Sequence, residues 1–232
     1  MRDSIKVAGK ITSTVYTLCS VGLEKLERLR KEYPEGRFSP EYVARRDAIY
    51  KVYASPKRRE TPLTVAEFFR AFRAVKGNLR ELFDVSRFQM SINHNIVTDE
   101  GDALIADLMS DTPARAKVNN ANGHIHVGTG WTGTTPKANT GVNTPTGSPE
   151  PMDATYPKQK GAFGAAGDNV TQYQVTFEAG DLNASGINEA AILNNAVPAS
   201  ADCLAYGQLV PSANIGLSDT LRVEWEITYL GT

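Results

Sequence analysis

The chain has 232 residues, 41% of them apolar, which is enough to bury the core of one large domain or of a domain with an excursion. Its two cysteines, Cys19 and Cys203, lie far apart, which argues against a disulfide framework and for buried free thiols. The net charge of −1 hides an asymmetry: residues 1–118 hold 21 Lys/Arg and 16 Asp/Glu, whereas residues 119–232 hold 4 and 10. That split suggests docking between basic and acidic surfaces and is too small to point to nucleic acid.

The opening MRDSIKVAGK has no apolar run after its basic residue, unlike a secretory signal, and no stretch approaches the roughly 18 apolar residues of a membrane helix. Ile5, Val7, Ile11 and Val15 alternate with Lys6, Lys10, Thr12 and Thr14, which predicts a strand, with Gly9 as a bulge candidate. From about residue 21 the period becomes helical. Leu23, Leu26, Leu29 and Tyr33 form one stripe, closed by Pro34 and Gly36. Ser39-Pro40 opens a second helix with Tyr42, Val43, Ile49 and Tyr53 as its apolar face. After the basic loop SPKRRETP, Thr64 and Glu67 fit a capping box for a third helix. Its stripe includes Phe68, Phe69, Phe72 and Phe83, read as core between the helices or as a protein contact.

At Ser86 the period returns to two, with Phe88, Met90, Ile92 and Ile96 on one side and Arg87, Gln89, Ser91 and Asn93 on the other. Two strands therefore flank the helices, as in a β-hairpin whose turn is replaced by a helical insertion. TDEGDALIADLMSD reads as a short helix capped by Thr98. HIHV is followed by a segment rich in Gly, Thr, Asn and Pro up to about residue 168, expected to be one long loop. Short strands around Tyr173–Phe177, 187–193, 203–210 and the closing TLRVEWEITYLGT complete the chain. The expected fold is α+β, mainly β: an antiparallel β-sandwich over residues 1–20 and 85–232, with a helical insertion over 21–84 that carries the basic surplus.

Candidate chemistry is sparse. Gly128, Gly130 and Gly133 lack the lysine and following helix that a phosphate loop needs. His124 and His126 share one strand face and are weak metal candidates, for example on the axis of a trimer; His94 is the other histidine. Glu224 and Glu226 are neighbours on the polar side of an amphipathic strand, which fits a solvated face better than a catalytic pair from separate elements. Ser148 is not in a nucleophile elbow. The sequence predicts neither an enzyme nor a cofactor.

Five pieces carry a resemblance: NHNIVTDEGDALIADLM (93–109), HIHVGTGWTGTTP (124–136), GINEAAILNN (186–195), CLAYGQLV (203–210) and SDTLRVEWEIT (218–228). Their order resembles a family of tailed-bacteriophage virion structural proteins with the pattern N-x-V-T-x-x-G, short helix, I-x-V-G-T-G, long loop, I-x-E-A-x-I, D-x-L-x-V-x-W. The likeness spans residues 1–20 and 86–232; the insertion departs from it. It implies a virion component assembled in the host bacterial cytoplasm. The expected role is tail-attached (neck, collar, tube decoration or fibre anchor), with capsid decoration or cement as the alternative and a receptor- or glycan-binding module as a further one. The expected partners are other virion proteins and further copies of the chain in a homo-oligomer of closed symmetry, with no membrane or nucleic acid. On that reading Arg45, Arg46, Lys57, Arg58 and Arg59 would dock on acidic neighbours, and the segment 128–168 would order itself on a partner or reach outward. Trp131 would make a partner contact, or, with Tyr156 and Phe163, form the aromatic cluster of a receptor-binding site. Val127-Gly128-Thr129-Gly130 is then a strand end and turn.

Overall fold

The computed structural model describes residues 6–54 and 89–230. Nine strands are present among them: β1 (Lys6–Thr17), β2 (Gln89–Val97), β3 (His124–Gly128), β4 (Pro145–Pro151), β5 (Lys158–Gln159), β6 (Val170–Phe177), β7 (Ala184–Leu193), β8 (Cys203–Ile215) and β9 (Asp219–Leu230). They form one antiparallel sheet in the order β4-β3-β7-β8-β2-β1-β9-β6-β5. The helices are α1 (Ser20–Glu32), α2 (Pro40–Tyr53) and α3 (Asp99–Leu108).

The sheet is rolled. Ile125 and Ile192 from one half of the strand order share a buried cluster with Val175 and Trp225 from the other half. Just past β4, the Asp153 N–H donates to the Gln174 carbonyl on β6 at 2.9 Å, so the two ends of the sheet meet. The mainly β, antiparallel architecture agrees with the sequence, and the two layers expected of a sandwich are the two halves of one continuous sheet.

Alternation sets which face is inside. On β9, Leu221, Val223, Trp225 and Ile227 enter the core, and on β1, Ile11 and Val15 do so. Gly9 marks no bulge: β1 keeps continuous register with both β2 and β9 there. The glycine instead makes room for Asn95, whose side chain would lie 1.5 Å from an added Cβ. At the end of β2 the sense of alternation differs from expectation. Asn95 and Val97 are buried and Ile96 is half-buried.

β1 and β2 pair as a hairpin from which α1 and α2 depart, as the returning period predicts. The α2 start is fixed by Ser39, whose Oγ accepts from the Tyr42 N–H at 3.2 Å, and by Pro40 at the first helical position. Thr98 caps α3 by accepting from the Gly101 N–H at 3.0 Å. α1 and α2 pack through Leu26, Tyr50 and Ala54 onto Tyr16 and Ala179, against the outer face of the sheet at the end where β6 finishes. The third predicted helix, with Phe68, Phe69, Phe72 and Phe83, lies outside the described residues.

The expected long loop is divided. β4 crosses it and pairs with β3, and β5 pairs with β6. Pro145, Pro149 and Pro151 hide β4 from sequence reading. They are tolerated because β4 ends the strand order, where a missing N–H costs no second ladder. Cys203 is buried as expected, with its thiol pushed up to about 12 by burial and by Glu100 nearby. Cys19 is exposed, because it precedes α1 at the helix boundary and not on a packed face.

Candidate functional site

Three polar constellations stand out. The first joins the helices to the sheet. Arg46 on α2 is 0% exposed and grips Asp153 with two nitrogens, at 3.1 and 3.2 Å. Asp153 also accepts from Gln174 Nε2 at 2.7 Å and from the Thr176 N–H and Oγ1 at 3.2 and 2.7 Å. Burial alone would raise the Asp153 pKa, but Arg46 and these donors hold it below the usual carboxylate range. Beside it, Glu178 accepts from Tyr42 OH at 2.6 Å and Arg30 Nε at 2.9 Å, and burial keeps its pKa raised. Arg37, in the turn between the helices, reaches Glu150 on β4 at 2.7 Å. Burial pushes Glu150 up to about 7 despite Arg37, with Asp181 and Glu178 adding to the push.

This corrects the expectation for Arg46. It is a core residue satisfied within the chain, not a docking residue. The helical phase carries the reason: Arg46 lies four positions from Tyr42 and four from Tyr50, both buried, whereas Arg45 falls on the exposed face. Arg45 binds Glu32 at 2.6 Å and Glu41 at 2.9 Å on the surface. Lys57, Arg58 and Arg59 lie outside the described residues.

The second constellation answers what the glycines after HIHV do. Glu189 on β7 is 0% exposed. Its carboxylate accepts from the backbone N–H groups of Gly130 (2.9 Å), Asn143 (3.1 Å) and Thr144 (2.9 Å), and from Tyr206 OH at 2.5 Å. Both ends of the segment 129–144 are therefore pinned to one buried acid. Gly128 and Gly130 permit this: an added Cβ would lie 2.4 Å from the Thr144 carbonyl oxygen at the first and 2.4 Å from the Thr144 Oγ1 at the second. Trp131 stacks on Tyr206 with ring centroids 4.9 Å apart, and Lys137 ties the middle of the loop to Asp99 and Asp102 on α3. So residues 129–144 fold back on their own sheet, where the segment 128–168 was expected to order itself on a partner or reach outward. Trp131 is half-buried.

His124 and His126 lie on the face of β3 opposite the core residues Ile125 and Val127. Their ring nitrogens sit 3.0 Å from the Asn122 carbonyl and 3.2 Å from the Gly147 carbonyl. Desolvation holds His126 below its ordinary pKa, partly offset by Gly147 and Glu189. Among the described residues no group of three or more His, Cys, Asp or Glu side chains is placed to hold a metal ion.

The third constellation is a polar cleft of about 220 Å³ on the outer face of β1, β9 and β6. Register lines up Lys10–Glu226–Gln172 and Thr12–Glu224–Gln174 in two rows, with Tyr156 at one side. Glu224 is exposed, as the sequence suggests. Burial would raise Glu226, but hydrogen bonds from Lys160 and Gln172 lower it. The lowered Glu226 carboxylate lacks the raised pKa of the acid that cleaves glycosides. The three loop aromatics do not converge: Trp131 lies on Tyr206, Tyr156 borders the cleft under Lys158, and Phe163 projects alone.

No family model, curated protein or solved structure matches this chain. Among the described residues no helix is long and apolar enough to cross a membrane.

Sequence reasoning missed Asp153 and Glu189. An isolated acid inside an apolar strand run, as in GINEAAILNN, was the available signal for Glu189.

Proposed function

We propose that this chain is a structural component of a tailed-bacteriophage virion, tail-attached and acting through protein–protein assembly. The observation that carries the reading is the ordered set of motifs over 93–109, 124–136, 186–195, 203–210 and 218–228. These pieces fall on β2 with α3, β3, β7, β8 and β9 of one rolled sheet. Their polar residues serve the scaffold: Thr98 caps α3, Gly128 and Gly130 clear the way for Thr144, and Glu189 fastens the loop. A pattern whose residues hold a shape suits a protein that works by presenting surfaces.

Immunogold labelling of intact particles from an infected-cell lysate tests this. Gold at the tail or neck is the expected result. Gold over the head moves the assignment to capsid decoration. Particles without label, using an antibody that binds the folded protein, overturn the virion reading. A glycan-binding role is the second reading, favoured by the mixed carboxylate, amide and hydroxyl rows beside Tyr156. It predicts that Glu224→Ala abolishes adsorption to cells and leaves assembly intact.

A further inference from the structure

A small apolar cluster of Ala191, Leu193, Cys203 and Tyr206 lies apart from the main core. Trp131 and Val142, at either end of the segment between Gly130 and Asn143, pack on it. The segment is therefore a strap. Its ends are pinned by Glu189, on the same face of β7 as Ala191. Its middle is held by Lys137, paired with Asp99 and Asp102, and all three side chains are half exposed or more. Exposed ion pairs hold weakly.

His126 lies beneath this strap. It is 3% exposed and borders a hollow of about 250 Å³, lined also by Ala138, Thr140, Val142 and Asn143 of the strap. His126 Nε2 sits 3.2 Å from the Gly147 carbonyl oxygen, which can only accept, so this nitrogen carries the hydrogen and Nδ1 keeps the lone pair. Nδ1 has no partner among the described residues. The ring is thus satisfied as a neutral group. A second proton would land on Nδ1 with no acceptor facing it, and would leave a charge out of reach of water.

The surrounding groups offset this only in part. Among the described residues, Glu189 on β7 is the carboxylate that favours the cation, and it already accepts from Gly130, Asn143, Thr144 and Tyr206. The strap brings Asn139, Thr140 and Asn143, none of them ionisable, and its Lys137 turns away to α3. β4 brings the Gly147 carbonyl, and on β3 itself His124 is engaged with the Asn122 carbonyl. Burial accordingly holds His126 below its ordinary pKa of 6.5, with Gly147 and Glu189 pulling the other way.

The geometry points to an acid-released strap: protonation of His126 lifts residues 131–142 off β3 and uncovers Ala191, Leu193 and Tyr206, while Glu189 keeps the two ends attached. The hollow lets water reach Nδ1 once the middle of the strap rises. A group held below its ordinary pKa in the closed form contributes its full stability above about pH 6.5, and loses it as pH falls through the closed-form value. Between those two values the opening equilibrium grows about tenfold per pH unit, the most that one proton allows. Glu150, whose pKa is raised, acts in the opposite sense, so a loss of order on acidification is not its work. The switch is a property of this chain's own fold and does not depend on the virion role.

Acrylamide quenching of tryptophan fluorescence in the full chain, compared at about pH 7.5 and about pH 5, tests it. Trp225 is 0% exposed, so a change reports Trp131. Wild type is expected to show a roughly twofold rise in quenching at the lower pH, with a parallel rise in binding of a hydrophobic dye. His126→Gln keeps a donor for Gly147 and takes up no proton, and is expected to hold the strap closed at both pH values. His124→Gln is expected to behave as wild type. Matching melting temperatures at the higher pH verify the folds. A wild type quenched equally at both pH values overturns the inference, as does a His126→Gln variant that opens like wild type. Should that variant fail to fold, an NMR titration of the wild-type imidazole decides. His126 and Trp131 signals that move together with a midpoint below 6.5 uphold the switch. A His126 ring that titrates while Trp131 stays still overturns it.

Discussion

Two glycine-rich segments of this molecule look alike in sequence and behave in opposite ways. Residues 128–144 and 161–167 each carry one large aromatic, and each is dominated by Gly, Ala, Thr and Asn. Trp131 in the first lies flat on Tyr206; Phe163 in the second is open to solvent. The difference resides in the acid each segment meets. Glu189 is buried on a neighbouring strand and gathers N–H groups from both ends of the first segment. Asp168 directly follows the second segment and accepts from the Gly164 N–H of that turn. A buried acceptor elsewhere in the fold pulls a loop down; a local acceptor shapes it and leaves it projecting.

Glu189→Ala should break this contrast with the largest effect. It orphans three backbone N–H groups and a tyrosine hydroxyl, at a cost of about 3–5 kcal/mol. Hydrogen exchange at Gly130, Asn143 and Thr144 should rise to the level of a free loop, with a matching fall in Tm. Gly128→Ala attacks the same clamp sterically. Its new Cβ would sit 2.4 Å from the Thr144 carbonyl oxygen and 2.5 Å from Glu189 Oε1, so a loss of about 2 kcal/mol in chemical denaturation is expected.

The strand that receives the first loop, β4, carries Glu150 just before its last residue, and this allows a pH test. Glu150 has a folded pKa of about 7 against an ordinary 4.5, so the folded state keeps a proton that the unfolded state releases. The stability owed to this group is fully present below about pH 4.5 and is lost as pH rises to about 7. Glu150→Gln should remove that slope. The gap between the variant and wild type should widen by about 1–3 kcal/mol across the window, read from urea midpoints at several pH values. An equal gap at every pH would show that Glu150 does not titrate there. Trp131→Ala should cost about 1 kcal/mol, the value of a stacked aromatic pair, and raise exchange in the loop without releasing its ends. Phe163→Ala should leave the monomer's Tm unchanged, because its side chain touches almost nothing within the chain.

The sequence carried the parts that depend on local period. Alternation placed Ile11, Val15, Val223 and Trp225 inside, and the capping roles of Ser39 and Thr98 followed from residue type. What escaped depends on contacts between distant segments. Arg46 sits beside Arg45 in a basic run and reads as surface. Its burial is compensated by Asp153, 107 residues away, and neither residue announces the other. β4 escaped because three of its seven residues are prolines, which removes the composition by which strands are recognised. The Glu189 clamp needed both the bend at Gly128 and a strand 59 residues beyond Gly130.

The prolines of β4 also bear on how the protein behaves when crowded. A sheet edge with free N–H groups can seed extended stacking with other chains, a route to fibrous precipitates. Here one edge lacks the amide protons of Pro145, Pro149 and Pro151, and the opposite edge strand is two residues long. Neither offers a stretch long enough to template another sheet. High local concentration can therefore be tolerated while side chains, and not backbone ladders, decide which copies touch.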